Sequence, residues 1–252
     1  MPTFLSWLWL LAAFVPLVFL ERWVHRHLQG IWLLLFRSPE VATILYAITM
    51  LPGVLVHEAS HWVMATVVGA RTGRFSLLPE RLPDGTLRLG FVETEQTDVF
   101  REALIGAAPL LVGSGIVLAI SYGALGVGPA AGALAAADVA GVARNLLAVT
   151  EAPDAWMWLY LLFAISNSMM PSASDRRAWL PVLAGAGLLA SFLIIAGLGA
   201  LVRDAVAGPL EAGIQALAGA FTITVALDLA AVPALWLLEL GLVRVTGLRV
   251  DY

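Results

Sequence analysis

The chain has no cysteine and no lysine, and charge is sparse: Asp, Glu, Lys and Arg make up 13% of its 252 residues, and all 14 basic residues are arginine. Without cysteine, disulfides, thiolate metal ligands and cysteine nucleophiles are excluded. Arginine and lysine do the same bulk work at membrane edges, so the missing lysine reflects a bias of usage rather than chemistry. The formal net charge of −4 is spread thinly, with no basic run and no aromatic-interleaved basic patch, which argues against nucleic acid as a partner. What the chain has in excess is apolar surface. Sixty per cent of residues are hydrophobic (60%) and the mean hydropathy is +0.90, against about 45–50% apolar and about 25% charged in a soluble domain. A soluble fold has nowhere to bury that much, so the sequence reads as an integral membrane protein in contact with the lipid bilayer.

A membrane-crossing helix needs about 20 mostly apolar residues. Candidate spans are 3–22, 41–69, 102–126, 156–171, 179–202 and 213–241, so the expected fold is an all-α polytopic membrane protein of about six transmembrane helices. The first run lacks a positive leader and is followed by Glu21, Arg22 and Trp23 rather than small residues, which reads as an uncleaved anchor. The stretch 30–36 is apolar but short, suiting an interfacial or re-entrant segment. Residues 127–150 are rich in Ala and Gly with Asp138 and Arg144 among them, and suit either an amphipathic surface helix or a loop. Tryptophans such as Trp7, Trp23, Trp156 and Trp236 fit an interfacial belt. The chain divides into an N-terminal anchor with interfacial segment (1–40), a core (41–180) and C-terminal transmembrane helices (181–252).

Residues 73–95 differ in character. Alternating runs at 74–78 and 86–92 flank Pro83-Asp84-Gly85, and Asp-Gly between alternating segments is a strong hairpin signal. A small β-hairpin is therefore expected directly after the second span. With six spans, Arg71, Arg74, Arg81, Arg88, Arg101, Arg176, Arg177, Arg244 and Arg249 fall on one side, and Arg22, Arg26, Arg37, Arg144 and Arg203 on the other. Positive residues favour the cytoplasmic side. That places the hairpin and both termini in the cytoplasm, in a multi-pass protein of a prokaryotic plasma membrane.

The run His57-Glu58-Ala59-Ser60-His61 carries the chemistry. Two histidines four apart lie on one helix face, one turn above the other, and their ring nitrogens can reach a single Zn²⁺. Glu58 projects beside that position, where it can act as general base and then acid. A glutamate inside a span costs a few kcal/mol on insertion scales, so ionisable residues there are functional by default. A catalytic zinc takes three protein ligands and keeps an open position. With no cysteine, the third ligand comes from His25, His27 or a carboxylate; Asp175 leads and Asp228 stands in reserve. Asp175 follows Pro171, which removes a backbone donor and disfavours helix just before it, so an unwound segment is expected there.

These residues resemble the site-2 protease family of intramembrane zinc metalloproteases. The run from Gly53 to His61, with Gly69 and Phe75 beyond, resembles the family's first motif, and Gly106-Ala107-Ala108-Pro109-Leu110 resembles the motif that opens its next span. The family's second signature is an Asn, a Pro three residues on, then Asp-Gly. Here Ser168 lies three before Pro171, Asp175 four after it, and Arg176 stands where the glycine would be. The resemblance implies His57, His61 and Asp175 as ligands of one zinc and Glu58 as catalytic residue. It also implies Asn167 or Ser168 as substrate-orienting groups, a hairpin on the cytoplasmic side, and transmembrane segments of other proteins as substrates. The competing reading keeps the fold without catalysis, as a membrane adaptor or a metal-binding or transport protein.

Overall fold

The computed structural model describes residues 4–77, 80–81, 87–88, 90–151 and 154–252, which form a helical bundle with two small antiparallel strand pairs. Among these residues three helical stretches are long and apolar enough to cross a membrane: Phe4–Phe36, Val99–Ala124 and Trp179–Thr246. The bent pair Pro39–Thr49 and Leu51–Val67 makes a fourth if it counts as one crossing. Length and composition thus give three or four crossings, where the sequence led to about six.

The differences have local causes. Helix α1 (Phe4–Phe36) runs unbroken for 33 residues, so 30–36 is its last part and not a separate interfacial segment. Its polar stretch survives because distant helices supply partners: His25 donates to the Asn167 carbonyl (3.0 Å), and His27 pairs with Glu239. After Ser38, whose hydroxyl accepts from the Val41 amide, come α2 (Pro39–Thr49) and α3 (Leu51–Val67). The expected single span 41–69 instead bends by 71° at Met50. Pro52, in the first turn of α3, has no N–H to offer the Ile48 carbonyl. Helix α3 ends where Gly69 takes a φ of 75° and the Ala70 amide reaches back to the Ala65 carbonyl at 2.8 Å.

The hairpin expected after α3 is present. β1 (Thr72–Ser76) pairs antiparallel with β4 (Phe91–Thr94), and β2 (Glu80–Arg81) with β3 (Leu87–Arg88). The turn Pro83-Asp84-Gly85, with Leu78 and Thr86, lies outside the described residues. Helix α4 (Val99–Ala119) starts at Asp98, whose side chain caps the amides of Phe100 and Arg101 at 3.1 Å each, and it runs through a π-helical turn to Ala124. Residues 127–150 form two short helices, α5 (Gly128–Ala135) and α6 (Val139–Val149).

Helix α7 (Ala155–Ser166) has only 12 residues, about 18 Å at 1.5 Å per residue against about 30 Å of hydrocarbon. The expected span 156–171 is therefore not a full helical crossing. From 167 to 178 the backbone is non-helical, as Pro171 led one to expect. Helix α8 (Trp179–Leu193) passes through a π-helical turn into α9 (Gly199–Thr246), with Gly197 at φ 82° marking the break. α9 is longer at both ends than the expected 213–241.

Helices α1 and α9 lie side by side and run the same way. Ser6 donates to Glu211 (2.5 Å), Phe14 meets Phe221 with ring centroids 6.0 Å apart, and His27 meets Glu239. Tyr252 then returns to α1: its hydroxyl donates to Glu239 at 2.6 Å and its ring lies 4.4 Å from that of His27. Burial and the Glu239 carboxylate push the Tyr252 phenol above its ordinary range, so it stays a donor. Leu17, Val117, Leu162 and Phe221 join α1, α4, α7 and α9 in the main apolar core.

Candidate metal centre

The centre is built where α3, α4 and the non-helical segment 167–178 meet. The four-residue spacing on α3 stacks His57 over His61, with Nε2 atoms 3.2 Å apart. Asp175, 114 residues beyond the latter in sequence, brings its carboxylate to both: Oδ2 lies 3.7 Å from His57 Nε2, and Oδ1 lies 3.5 Å from His61 Nε2. Among the described residues these three form the one acidic or imidazole group close enough to share an ion, all ligand atoms lying within 4.8 Å of one another.

Each imidazole is oriented from behind. His57 Nδ1 donates to the Ser168 carbonyl (2.7 Å) and His61 Nδ1 donates to the Ile105 carbonyl (2.9 Å). A carbonyl can only accept, so both Nδ1 atoms carry hydrogen, and the neutral rings present Nε2 lone pairs to each other and to a carboxylate. With both rings neutral, these three lone-pair donors converge on a point that a metal cation can occupy. The spacing fits: tetrahedral bonds of about 2.0–2.1 Å put ligand atoms roughly 3.3 Å apart, and the observed separations are 3.2, 3.5 and 3.7 Å. The cluster can therefore hold a divalent metal ion.

Two features of α4 that motif reading alone did not interpret make this possible. In an unbroken helix the Ile105 carbonyl would bond the N–H of residue 109, but that residue is proline. Pro109 thus frees the acceptor that His61 uses. One residue on, Gly106 lets the chain of Asp175 lie against the helix: a Cβ at 106 would sit 2.0 Å from the Asp175 carbonyl oxygen. The Asp175 side chain is itself held by a tight turn, its Oδ2 accepting from the Ser172 amide at 2.7 Å and the Ser172 hydroxyl accepting from the Asp175 amide at 3.3 Å. Arg176 donates through Nε to the Ser172 carbonyl (3.2 Å), buttressing the same turn.

In front of the cluster lies a cleft of about 520 Å³ lined by His57, Glu58, His61 and Asp175, by Gly90 just before β4, by Val92 and Thr94 on it, and by Glu102 and Arg177. Residues 90, 92 and 94 alternate, so one face of β4 looks into the cleft. Gly90 has a φ of 114° and passes so close to α3 that a Cβ there would meet Val54 at 3.0 Å and Glu58 at 3.3 Å.

The other candidates fall elsewhere. His25 bonds Asn167 and Tyr46, His27 bonds Glu239, and Asp228 accepts from the Asn167 amide at 2.8 Å; none of these joins the metal group. Asn167 is 1% exposed and faces Asp228 rather than the cleft, and what Ser168 gives the centre is its carbonyl. Fold and centre together define a helical protein with membrane-length apolar helices and a His-His-Asp cluster able to bind metal. No family model matches the chain, and no curated protein or solved structure matches it either.

Proposed function

We propose that this chain is an intramembrane zinc metalloprotease of the site-2 protease type, cleaving peptide bonds in or near transmembrane segments of other membrane proteins. The convergence of His57, His61 and Asp175 beside Glu58 at the floor of a polar cleft carries the reading. The nitrogen–oxygen donor set suits zinc, and its three ligands leave a fourth position open. Zinc held there would acidify a water molecule toward a pKa of about 7 and polarise the scissile carbonyl. His57 and His61 bind through Nε2, with Nδ1 kept protonated by the Ser168 and Ile105 carbonyls. Glu58 takes the proton of the attacking water on its carboxylate as the new C–O bond forms. It returns that proton to the amine nitrogen as the C–N bond breaks.

A substrate helix protects its carbonyls by hydrogen bonding, so the segment to be cut must be extended. The face of β4 that looks into the cleft supports a role in holding such a strand. In this reading the hairpin side is cytoplasmic and the protein is multi-pass in a prokaryotic plasma membrane. α9 has 48 residues and is long enough to cross, whereas α8 has 15, about 22 Å, and approaches a crossing only together with the π-helical turn that follows it. The parallel packing of α1 on α9 supports one revision. Tyr252 lodges against Gly30, 26 residues or about 39 Å along α1 from Phe4; if α1 crosses the membrane, this favours opposite sides for Phe4 and Tyr252 over the expected shared cytoplasmic side.

The test pairs metal content with hydrolysis of a fluorogenic casein peptide by detergent-purified protein. One zinc per chain is expected, lost in His61→Ala and kept in Glu58→Gln, with hydrolysis abolished in both. Full activity in Glu58→Gln defeats the mechanism, and absence of zinc from the native protein defeats the site.

A further inference from the structure

Behind the metal cluster, and away from the cleft, a second polar group crosses four helices. Tyr46 on α2 donates to His25 Nδ1 at 2.7 Å, and His25 Nε2 on α1 donates to the Asn167 carbonyl at 3.0 Å. Asn167, at the end of α7, donates through Nδ2 to the Phe163 carbonyl at 3.1 Å and to Asp228 Oδ1 on α9 at 2.8 Å. Asn167 and Asp228 are 1% and 0% exposed. Polar groups this deep in an apolar bundle are costly unless they secure something.

What they secure is the broken end of α7. The Asn167 carbonyl would bond the N–H of residue 171 in a continuing helix, and residue 171 is proline, so His25 supplies the missing donor. The next carbonyl along the chain, Ser168, is the acceptor that orients His57. Two consecutive carbonyls are thus each held by an imidazole, one from α1 and one from the metal-binding helix. A shift of the 167–168 backbone moves the acceptor of His57 Nδ1 and swings Nε2 off the metal position.

We infer that Asp228, Asn167 and His25 are positioning residues for the metal centre: they pin the α7 terminus so that the Ser168 carbonyl holds His57 in its metal-binding orientation. The inference rests on the metal reading above. It explains an intramembrane aspartate and histidine that do not reach the metal. Among the described residues, Asp228 Oδ2 and Asn167 Oδ1 are buried without a hydrogen-bond partner. Both are acceptors, and an amide at 228 keeps the Oδ1 acceptor that Asn167 uses while replacing the orphaned Oδ2 with a donor.

The experiment compares native protein with Asp228→Ala, Asp228→Asn, His25→Ala and His25→Gln in detergent. Zinc affinity is read against a competing chelator, the visible absorption of the Co²⁺-loaded protein reports ligand geometry, and thermal midpoints report folding. Partners behind metal ligands change affinity by about 10–100-fold. The two alanine variants are expected to lose about tenfold in zinc affinity and to alter the Co²⁺ spectrum. Asp228→Asn should keep both, and His25→Gln, which can still donate to the carbonyl, should recover part of the loss. A purely structural role would lower the midpoint while leaving the affinity and spectrum of folded protein native, and that result overturns the inference. Should Asp228→Ala fail to fold, the His25 pair on another helix decides by the same criterion. Native protein that binds zinc alongside alanine variants of native affinity sinks the positioning role alone; native protein that binds none sinks the metal reading and this inference with it.

Discussion

Gly106→Ala is a sharp test of the geometry, because it adds one methyl group and touches no ligand atom. The new Cβ would lie 2.0 Å from the Asp175 carbonyl oxygen, 2.8 Å from its carbon and 3.1 Å from its Cα. These are three backbone atoms, so no side-chain rotation relieves the clash. Ordinary contact begins near 3.4 Å, so helix and turn must separate by about 1.4 Å (3.4 less 2.0). Metal–ligand distances tolerate about ±0.2 Å, several times less than that displacement. Carrying Asp175 away leaves two histidines and an empty corner. The expected loss is on the order of 100-fold in zinc affinity, or about 2.7 kcal/mol. Chelator competition on detergent-solubilised protein measures it. Gly115→Ala is the matched control: it sits in the same helix with nothing among the described residues within 4 Å of its Cβ position. That variant should bind zinc as the native protein does and gain roughly 0.5–1 kcal/mol of stability from a better helix former. Zinc affinity in Gly106→Ala within threefold of native would refute the claim that Asp175 is held by that close approach.

Pro109→Ala restores an N–H that competes with His61 for the Ile105 carbonyl. Zinc affinity should fall several-fold while the thermal midpoint holds or rises, since proline inside a helix costs about 3 kcal/mol; an unchanged affinity would remove the proposed role for the freed carbonyl. Gly90→Ala places a side chain at φ 114°, at 3.0 Å from Val54 and 3.3 Å from Glu58. On the proposed reading it should reduce peptide hydrolysis while one zinc per chain remains, since it touches Glu58 and the strand and not His57, His61 or Asp175; loss of zinc instead would show that the hairpin supports the metal itself.

Several features were legible because their causes are local. Membrane-length apolar helices follow from hydropathy, the shared face of His57 and His61 from the helical repeat, and the unwound segment from Pro171. The bend at Met50 also has a local cause in Pro52, but a continuous run of apolar residues masked it. The run of α1 through Glu21, Arg22, His25, Arg26 and His27 was not legible. A charged stretch ends a span by composition alone, and here its partners Asn167 and Glu239 lie 142 and 212 residues away from His25 and His27.

What the sequence alone determined was the class of the protein and the pair of imidazoles on one helix face, since hydropathy and a four-residue spacing act over a turn or a span. Tertiary structure decided which acid meets that pair. His25, His27, Asp175 and Asp228 were all admissible, and only the passage of segment 167–178 over Gly106 brings Asp175 to the imidazoles while turning Asp228 toward Asn167. Spacing along a chain says nothing of distance between helices. That distance is set here by a missing Cβ at Gly106 and by a carbonyl that Pro109 leaves unpaired.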